Sequence, residues 1–165
     1  MDPRFPTGKF VFDPNPTTDT RRAAIAAIGN FPVELKAVMP AARLDRPYRE
    51  GGWTARQVVH HLADSHMNAF VRFRLALTEE MPTVKPYKEA EWSKLVDSKM
   101  DPQVSIQILD GLHQRWHTML EAMADDDFTR QALHPENGPI TLDWLLQLYA
   151  WHGRHHIGHI KLTYA

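Results

Sequence analysis

The chain has 165 residues, of which 43% are apolar, a size that suits one domain with a single core, so we expect residues 1–165 to form one domain. Nineteen basic and twenty acidic residues leave a formal charge of −1 and no basic block, which argues against a nucleic-acid partner. The sequence contains no signal-peptide core and no apolar run of about 20 residues, so we expect a cytoplasmic protein without a membrane partner.

The first predicted elements are an extended arm and a long helix. Four prolines precede Thr18, and their missing N–H groups and fixed φ angles favour an extended arm. The first helix is predicted to begin near Thr18 or Asp19 and to run to about Val38. Gly29 and Pro32 mark the positions at which this helix can kink or split.

A second helix is predicted from a cap at Thr54 to about Thr78, because apolar side chains repeat there at helical spacing. The stretch 82–100 is long for a loop in a helical bundle. It is predicted to hold a short helix around 89–95 and to lie over one end of the bundle.

A third helix is predicted to open at Asp101 and Pro102 and to stop near Ala124. Residues 134–139, HPENGP, have the composition of a turn. Thr141 then starts a fourth helix.

The fourth helix should reach about Leu162, and no alternating strand pattern occurs anywhere in the sequence. We therefore predict an all-α fold, a four-helix bundle with an extended N-terminal arm. The long connection between the second and third helices permits a crossover.

The chain combines ten histidines with a complete absence of cysteine. Without cysteine it has no thiolate ligand and no nucleophilic thiol, so any thiol chemistry needs a thiol brought in as a cosubstrate. Seven histidines fall in the two short stretches 60–66 and 152–159, and this clustering points to chemistry rather than to fold.

His152 and His156 have the spacing of metal ligands on a helix. Residues four apart lie on one face with Cβ atoms about 6 Å apart, so both imidazoles can reach one ion. Leu145 shares this face, which should therefore point into the bundle. His155 and His159 form a competing pair with the same spacing.

A third ligand has to come from another helix, and the second helix offers two candidates. Helical periodicity places His66 near the middle of the apolar stripe and His61 towards its edge, so periodicity slightly favours His66 without deciding between them. The alternative interpretation, that these are ordinary hydrogen-bonded histidines, is disfavoured because so many imidazoles on two helices would each need a buried partner.

Three runs of sequence carry a family resemblance: YREGGWTARQVVHHLADSHMNAFVRFRLALTEE, KPYKEAEW and LYAWHGRHHIGHI. They resemble the DinB superfamily and especially its YfiT-like branch. That branch includes bacillithiol S-transferases and proteins named as metal-dependent hydrolases.

The resemblance implies a four-helix bundle, a homodimer, and one zinc or nickel ion in each subunit. Carried over by motif, the ligands would be His61, His152 and His156, which overrules the preference of periodicity for His66. His159 stands where many family members have glutamine, so it is not expected to be a ligand.

Three neutral imidazoles would leave a divalent ion with its full charge and an open position, at which a water or a thiol can become a nucleophile. The resemblance favours a transferase that activates a low-molecular-weight, bacillithiol-like thiol for transfer to an electrophile. The alternatives are a hydrolase acting on a small amide or ester, and a non-catalytic metal- or ligand-binding stress-response module. The sequence lacks the His-Glu-x-x-His pattern that places a general base beside a metal.

Other residues are weaker candidates. Asp64, three residues after His61, is a candidate to orient that imidazole. Arg49, Glu50 and Asn68 are candidates for substrate contacts, although polar side chains at such positions are more often simply solvated. Aromatic residues at helical spacing are expected to belong to the core rather than to a pocket; they are Trp53, Phe70, Phe73, Trp116, Trp144, Tyr149 and Trp151.

Overall fold

The computed structural model describes residues 2–164. Its α-helices are α1 (Thr18–Val38), α2 (Ala55–Thr78), α3 (Glu89–Trp92), α4 (Gln103–Glu121) and α5 (Leu142–Lys161), and its strands are β1 (Gln131–His134) and β2 (Gly138–Thr141). The four long helices confirm the predicted bundle. Within the described part of the chain, no helix is both long enough and apolar enough to cross a membrane.

The helices begin at side-chain caps. Thr54 and Gln57 form a reciprocal capping box at the start of α2, and the hydroxyl of Thr141 accepts a hydrogen bond from the first turn of α5. In α1 the cap is Thr17, one residue before the predicted start. This helix continues through Pro32 as a single element, so the chain does not split there.

The order of the helices around the bundle determines which side chains meet. Both α1 and α2 pack against α4 and α5, so α1 and α2 lie at opposite corners although they are consecutive in sequence. The connection 39–54 crosses the bundle diagonally from α1 to α2, and the connection 122–141 crosses it diagonally from α4 to α5. The longer connection from α2 to α4 joins neighbouring helices. As a result α2 lies directly beside α5, and these are the two helices that carry the histidine clusters.

A short β-hairpin between α4 and α5 was not predicted. Gln131 pairs with Thr141 and His134 with Gly138 in antiparallel register. Strands of four residues are too short for an alternating pattern to be recognised. They form because the 134–139 turn, which was predicted, lets the buried side chains of β1 and β2 face the core.

The N-terminal arm is extended, as predicted, and it lies along α5. The indole N–H of Trp151 donates to the carbonyl of Gly8 at 3.1 Å. The side-chain amide of Gln147 both donates to and accepts from the backbone of Asp13, each bond being 2.9 Å long. These contacts hold the start of the arm near the histidines of α5.

Buried histidines lie between two apolar clusters that fill the bundle. Phe73 and Trp116 belong to one cluster, and Phe31 and Leu62 belong to the other. The ring of His66 contacts both, at centroid distances of 4.9 Å from Phe31 and 6.0 Å from Trp116. The core is therefore interrupted by polar side chains, each of which needs a hydrogen-bond partner.

Gly153 is required for the close approach of α5 to α1. A Cβ atom at this position would lie 2.7 Å from Cδ2 of Phe31, whereas one at Gly111 in α4 would meet open space. We expect Gly153→Ala to lower the free energy of unfolding by about 1–3 kcal/mol through overpacking. Gly111→Ala should raise it by about 0.5–1 kcal/mol, because alanine is the better helix former. Urea unfolding measures both, and equal effects of the two variants would contradict the tight α1–α5 contact.

Candidate metal centre

Three histidines from two neighbouring helices converge on one point. His61 projects from α2, and His152 and His156 project from successive turns of α5. Each offers one ring nitrogen, and these three nitrogens lie within 4.8 Å of one another. The Nε2 atoms of His61 and His152 are 3.3 Å apart. The structure thus brings together the three residues that the family resemblance implied as ligands.

The spacing of these nitrogens fits a single divalent ion. Two imidazole nitrogens bound to one tetrahedral zinc ion at about 2.0–2.1 Å are separated by about 3.3–3.4 Å. The 3.3 Å between the Nε2 atoms of His61 and His152 agrees with this geometry. Imidazole suits zinc and nickel equally, so the donor set fits a divalent ion without selecting between the two metals.

Burial keeps the three imidazoles neutral. Loss of solvation, assisted by the nearby His159 and His155, lowers the pKa of His61 to about 4. Burial, assisted by neighbouring histidines, also holds the pKa values of His152 and His156 well below the ordinary value. A neutral imidazole has a free lone pair at neutral pH, which is the form that binds a metal.

A cavity of about 540 Å³ opens onto the three histidines. Its walls include Trp53, Trp144, Tyr149 and Trp151, so the prediction that these aromatics belong only to the core was wrong for these four. Helical spacing identifies the buried face of a helix, but it does not show whether that face meets another helix or an opening.

The charged residues around the cavity are mostly arginines. Arg4, Arg49 and Arg72 line it together with Glu89. Arg4 pairs with an aspartate of the arm at 2.8 Å, whereas the buried Nε of Arg49 has no hydrogen-bond partner among the described residues. Burial raises the pKa of the Glu89 carboxyl above its ordinary value. The cavity therefore favours an anionic group over a cationic one.

Two hydroxyls beside the histidines were missed in the sequence. Ser65 lies one turn after His61, and Tyr149 lies one turn before His152, so both line the same cavity. The Ser65 hydroxyl donates to the Tyr149 oxygen at 3.5 Å. Burial raises the pKa of Tyr149, which keeps its proton. The signal available in the sequence was the spacing of three or four residues from a candidate ligand.

The other predicted site residues lie outside the cavity. Within residues 2–164 the Asp64 carboxylate makes no hydrogen bond to His61, whose ring instead points across to α5 and contacts Trp53 at 4.7 Å. Asn68 donates its side-chain amide to the carbonyl of Asp64 in its own helix, at 2.8 Å. Glu50 is exposed on the 39–54 connection. The structure gives these three side chains no contact with the three histidines.

His66 lies behind His152 and not beside it. Its Nε2 is 3.1 Å from Nδ1 of His152, and its Nδ1 is 2.8 Å from Nε2 of His113. Both ring nitrogens of His66 are therefore occupied by hydrogen bonds within the core. The structure therefore places His61, and not His66, in the group of converging nitrogens, because the most buried position on a helical face is not the one that opens on the cavity.

A second group of ring nitrogens, from His155, His156 and His159, also lies within 4.8 Å of one another. His156 belongs to both groups, and its Nδ1 is 3.2 Å from Nδ1 of His159. A neutral imidazole that binds a metal through one nitrogen carries a proton on the other. His159 is therefore placed to accept that proton in a hydrogen bond, and the second group supports the first rather than forming another site.

Comparison with known proteins places the chain in a family. The family model of the DinB superfamily matches residues 19–160. A Bacillus cereus (strain B4264) protein whose name proposes a metal-dependent hydrolase is 48% identical over 162 residues, spanning 96% of this chain and 94% of its own. A Bacillus mycoides (strain KBAB4) protein with the same kind of name is 47% identical over the same shares.

Among solved structures, YfiT from Bacillus subtilis superimposes with a TM-score of 0.93 and 43% identity, covering 98% of this chain and 95% of YfiT. It is described as a probable metal-dependent hydrolase with an unusual four-helix bundle topology. The chain belongs to the DinB superfamily and has the fold of YfiT.

Proposed function

We propose that this protein is a cytoplasmic, metal-dependent transferase that joins a low-molecular-weight, bacillithiol-like thiol to an electrophilic substrate. The observation that carries the proposal is the convergence of three neutral imidazole nitrogens beside a cavity. His61, His152 and His156 would hold one zinc or nickel ion per chain. When bound, the ion keeps its full charge, because its ligands are neutral, and lowers the pKa of a thiol or water at its open position.

The cavity walls suit the two proposed substrates. Trp53, Trp144 and Trp151 provide apolar surface for an organic electrophile and limit the access of water. The unpartnered Nε–H of Arg49 is available to an anionic group of the thiol, whereas its Nη1 already donates to the carbonyl of Glu50 at 2.9 Å. The hydroxyl of Tyr149 lies one helical turn from the ligand His152 and can donate a hydrogen bond to the substrate.

The chain contains no cysteine, so the sulfur must come from a bound thiol. The thiol loses its proton to solvent water, the sulfur forms a bond to the electrophilic carbon, and the bond from that carbon to the leaving group breaks, so that the leaving group departs with its electron pair. No oxidant or reductant is needed for this substitution.

A metal-dependent hydrolase is the second candidate, and two observations favour it. The similar Bacillus proteins carry names that propose hydrolases. In addition, Glu89 places a carboxyl in the cavity wall, where it could act as a general base, and burial raises its pKa. In this reaction a water in place of the thiol would attack a small amide or ester.

A conjugation assay tests the transferase. Metal-loaded protein is mixed with bacillithiol and 1-chloro-2,4-dinitrobenzene, and the thioether is followed by its absorbance. We expect conjugation to fall by about 100-fold or more when the metal is removed and to return when zinc or nickel is added. Conjugation that is unaffected by metal removal would contradict the proposal.

Parallel incubations test the alternatives. Metal-dependent cleavage of small esters or amides without any thiol would support the hydrolase. Tight binding of metal or thiol without turnover in either assay would support a non-catalytic module. His117→Gln is a suitable control variant, because this histidine lies on α4 with a half-exposed side chain, outside the cavity.

We also propose that the protein acts as a homodimer. The chain mass is 19.0 kDa, so light scattering should give twice that mass, about 38 kDa. A mass of one chain at micromolar concentration would contradict the dimer and leave the metal site unaffected.

A further inference from the structure

His66 and His113 are buried residues for which the proposed reaction has no direct use. Each is 1% exposed. They connect His152 to the backbone of α1 through an unbroken row of contacts. His152 Nδ1 is 3.1 Å from His66 Nε2, His66 Nδ1 is 2.8 Å from His113 Nε2, and His113 Nδ1 is 2.6 Å from the carbonyl oxygen of Ile28.

The positions of the protons in this row follow from its end point. A carbonyl oxygen only accepts hydrogen bonds, so His113 Nδ1 must carry the proton that it donates to Ile28. A neutral His113 then has a lone pair on Nε2, which accepts from His66 Nδ1–H. By the same rule His66 accepts at Nε2 from Nδ1–H of His152, which leaves the lone pair of His152 on Nε2.

We propose that the Ile28 carbonyl, acting through His113 and His66, fixes His152 as its Nδ1–H tautomer and aims its Nε2 lone pair at the ion site. His66 and His113 are thus positioning residues. The usual partner behind a metal-bound histidine is a carboxylate, a carbonyl or a water. Here the carbonyl does not contact His152 directly. Its preference for a donor passes to His152 through the imidazoles of His113 and His66.

Packing holds the rings of the row in place. Phe31 contacts both His66 and His113, at centroid distances of 4.9 Å and 5.0 Å, and Trp116 lies 5.6 Å from His113 on another side. A ring in the opposite tautomer would set two N–H groups or two lone pairs against each other in a dry core, and a flipped ring would place carbon atoms where the bonding nitrogens lie; both are costly. The row therefore has one satisfied arrangement of protons while its members are neutral.

The proposed role of the row depends on the proposed metal site. The tautomers themselves depend neither on the transfer reaction nor on a bound ion. Long-range ¹H–¹⁵N correlation spectra of the metal-free protein at pH 7.5 report the tautomer of each histidine directly. We expect His113, His66 and His152 all to be Nδ1–H tautomers before any metal is added. An Nε2–H tautomer at any of the three would overturn the proposal.

Two substitutions at His113 test whether the row affects metal binding. His113→Gln keeps one donor, the amide N–H, and one acceptor, the amide oxygen, so its side chain can still donate to Ile28 and accept from His66. His113→Leu keeps a side chain of similar size and removes both groups. Zinc affinity, measured by competition with a chelator, should fall by about 10–100-fold in His113→Leu and change by less than about 3-fold in His113→Gln.

Equal zinc affinity in the two variants would contradict the positioning role. Because the tautomers are measured without metal or substrate, the row can fail this test while the transfer reaction is confirmed, and the reverse is equally possible. Circular dichroism of both variants identifies a folding defect, in which case the spectra of the unaltered protein decide the question.

Discussion

Replacing both His152 and His156 by glutamine should reduce the metal content from one divalent ion per chain to less than about 0.1. The two substitutions together remove two of the three converging nitrogens and leave only that of His61. A single imidazole binds zinc too weakly for the ion to survive dialysis. Glutamine keeps the polarity and approximate size of histidine, so the buried positions are not emptied. We expect the metal affinity to fall by about 10⁴-fold or more and the conjugation reaction to fall to the rate without protein.

Elemental analysis of protein purified without a nickel column measures this loss and identifies the native metal as well. The matched control is His117→Gln, which changes the same residue type on the half-exposed face of α4 and should keep one ion per chain. A doubly substituted protein that retained one ion per chain would place the metal elsewhere and would remove the basis of the proposed function.

The metal-free protein should lose much of its stability between pH 6.5 and pH 4. Unfolded histidines take up protons near pH 6.5. Burial lowers the pKa of His61 and of His113 to about 4 in the folded state. Between these values the unfolded state binds more protons, so stability that is present above pH 6.5 is lost as the pH falls. Each of the two groups contributes about 3 kcal/mol to this loss.

A total loss of about 6 kcal/mol is comparable with the whole free energy of unfolding of many domains. Urea unfolding at pH 7.5, 6 and 5 should therefore show a steadily falling midpoint. His113→Gln removes one of the two groups and should flatten this dependence. A midpoint that is constant between pH 7.5 and pH 5 would contradict the burial of neutral histidines.

Added zinc should raise the midpoint at pH 7.5, since a ligand that binds only the folded state stabilises it. This gain should stay nearly constant between pH 7.5 and pH 5, because the buried imidazoles of the folded protein remain unprotonated over this range and protons do not compete with the ion there. The metal-loaded protein should therefore lose stability on acidification in parallel with the metal-free protein, from a higher midpoint.

Local features of the fold were well predicted, because their causes lie within a few residues. The start of α2 at Thr54 and of α5 at Thr141 follows from side chains that accept hydrogen bonds within the first turn. The shared face of His152 and His156 follows from helix geometry alone. The hairpin was not predicted, because its short strands depend on burial against the bundle and not on a local pattern.

The sequence by itself determined the four long helices, the extended arm and the pair of histidines on α5. The choice of His61 over His66 needed a family resemblance or the structure, since periodicity slightly favoured His66. The structure alone showed that four aromatics line the cavity and that Asp64, Glu50 and Asn68 do not.

Only the tertiary structure decided the partners of each side chain. It set α2 beside α5, put His61 3.3 Å from His152, and placed His66 and His113 between His152 and the Ile28 carbonyl. Helical spacing states which direction a residue faces, but the element that it meets depends on how distant segments pack. The neighbours of each helix are decided when the apolar faces of all four helices are buried together, so no short stretch of sequence is sufficient to predict them.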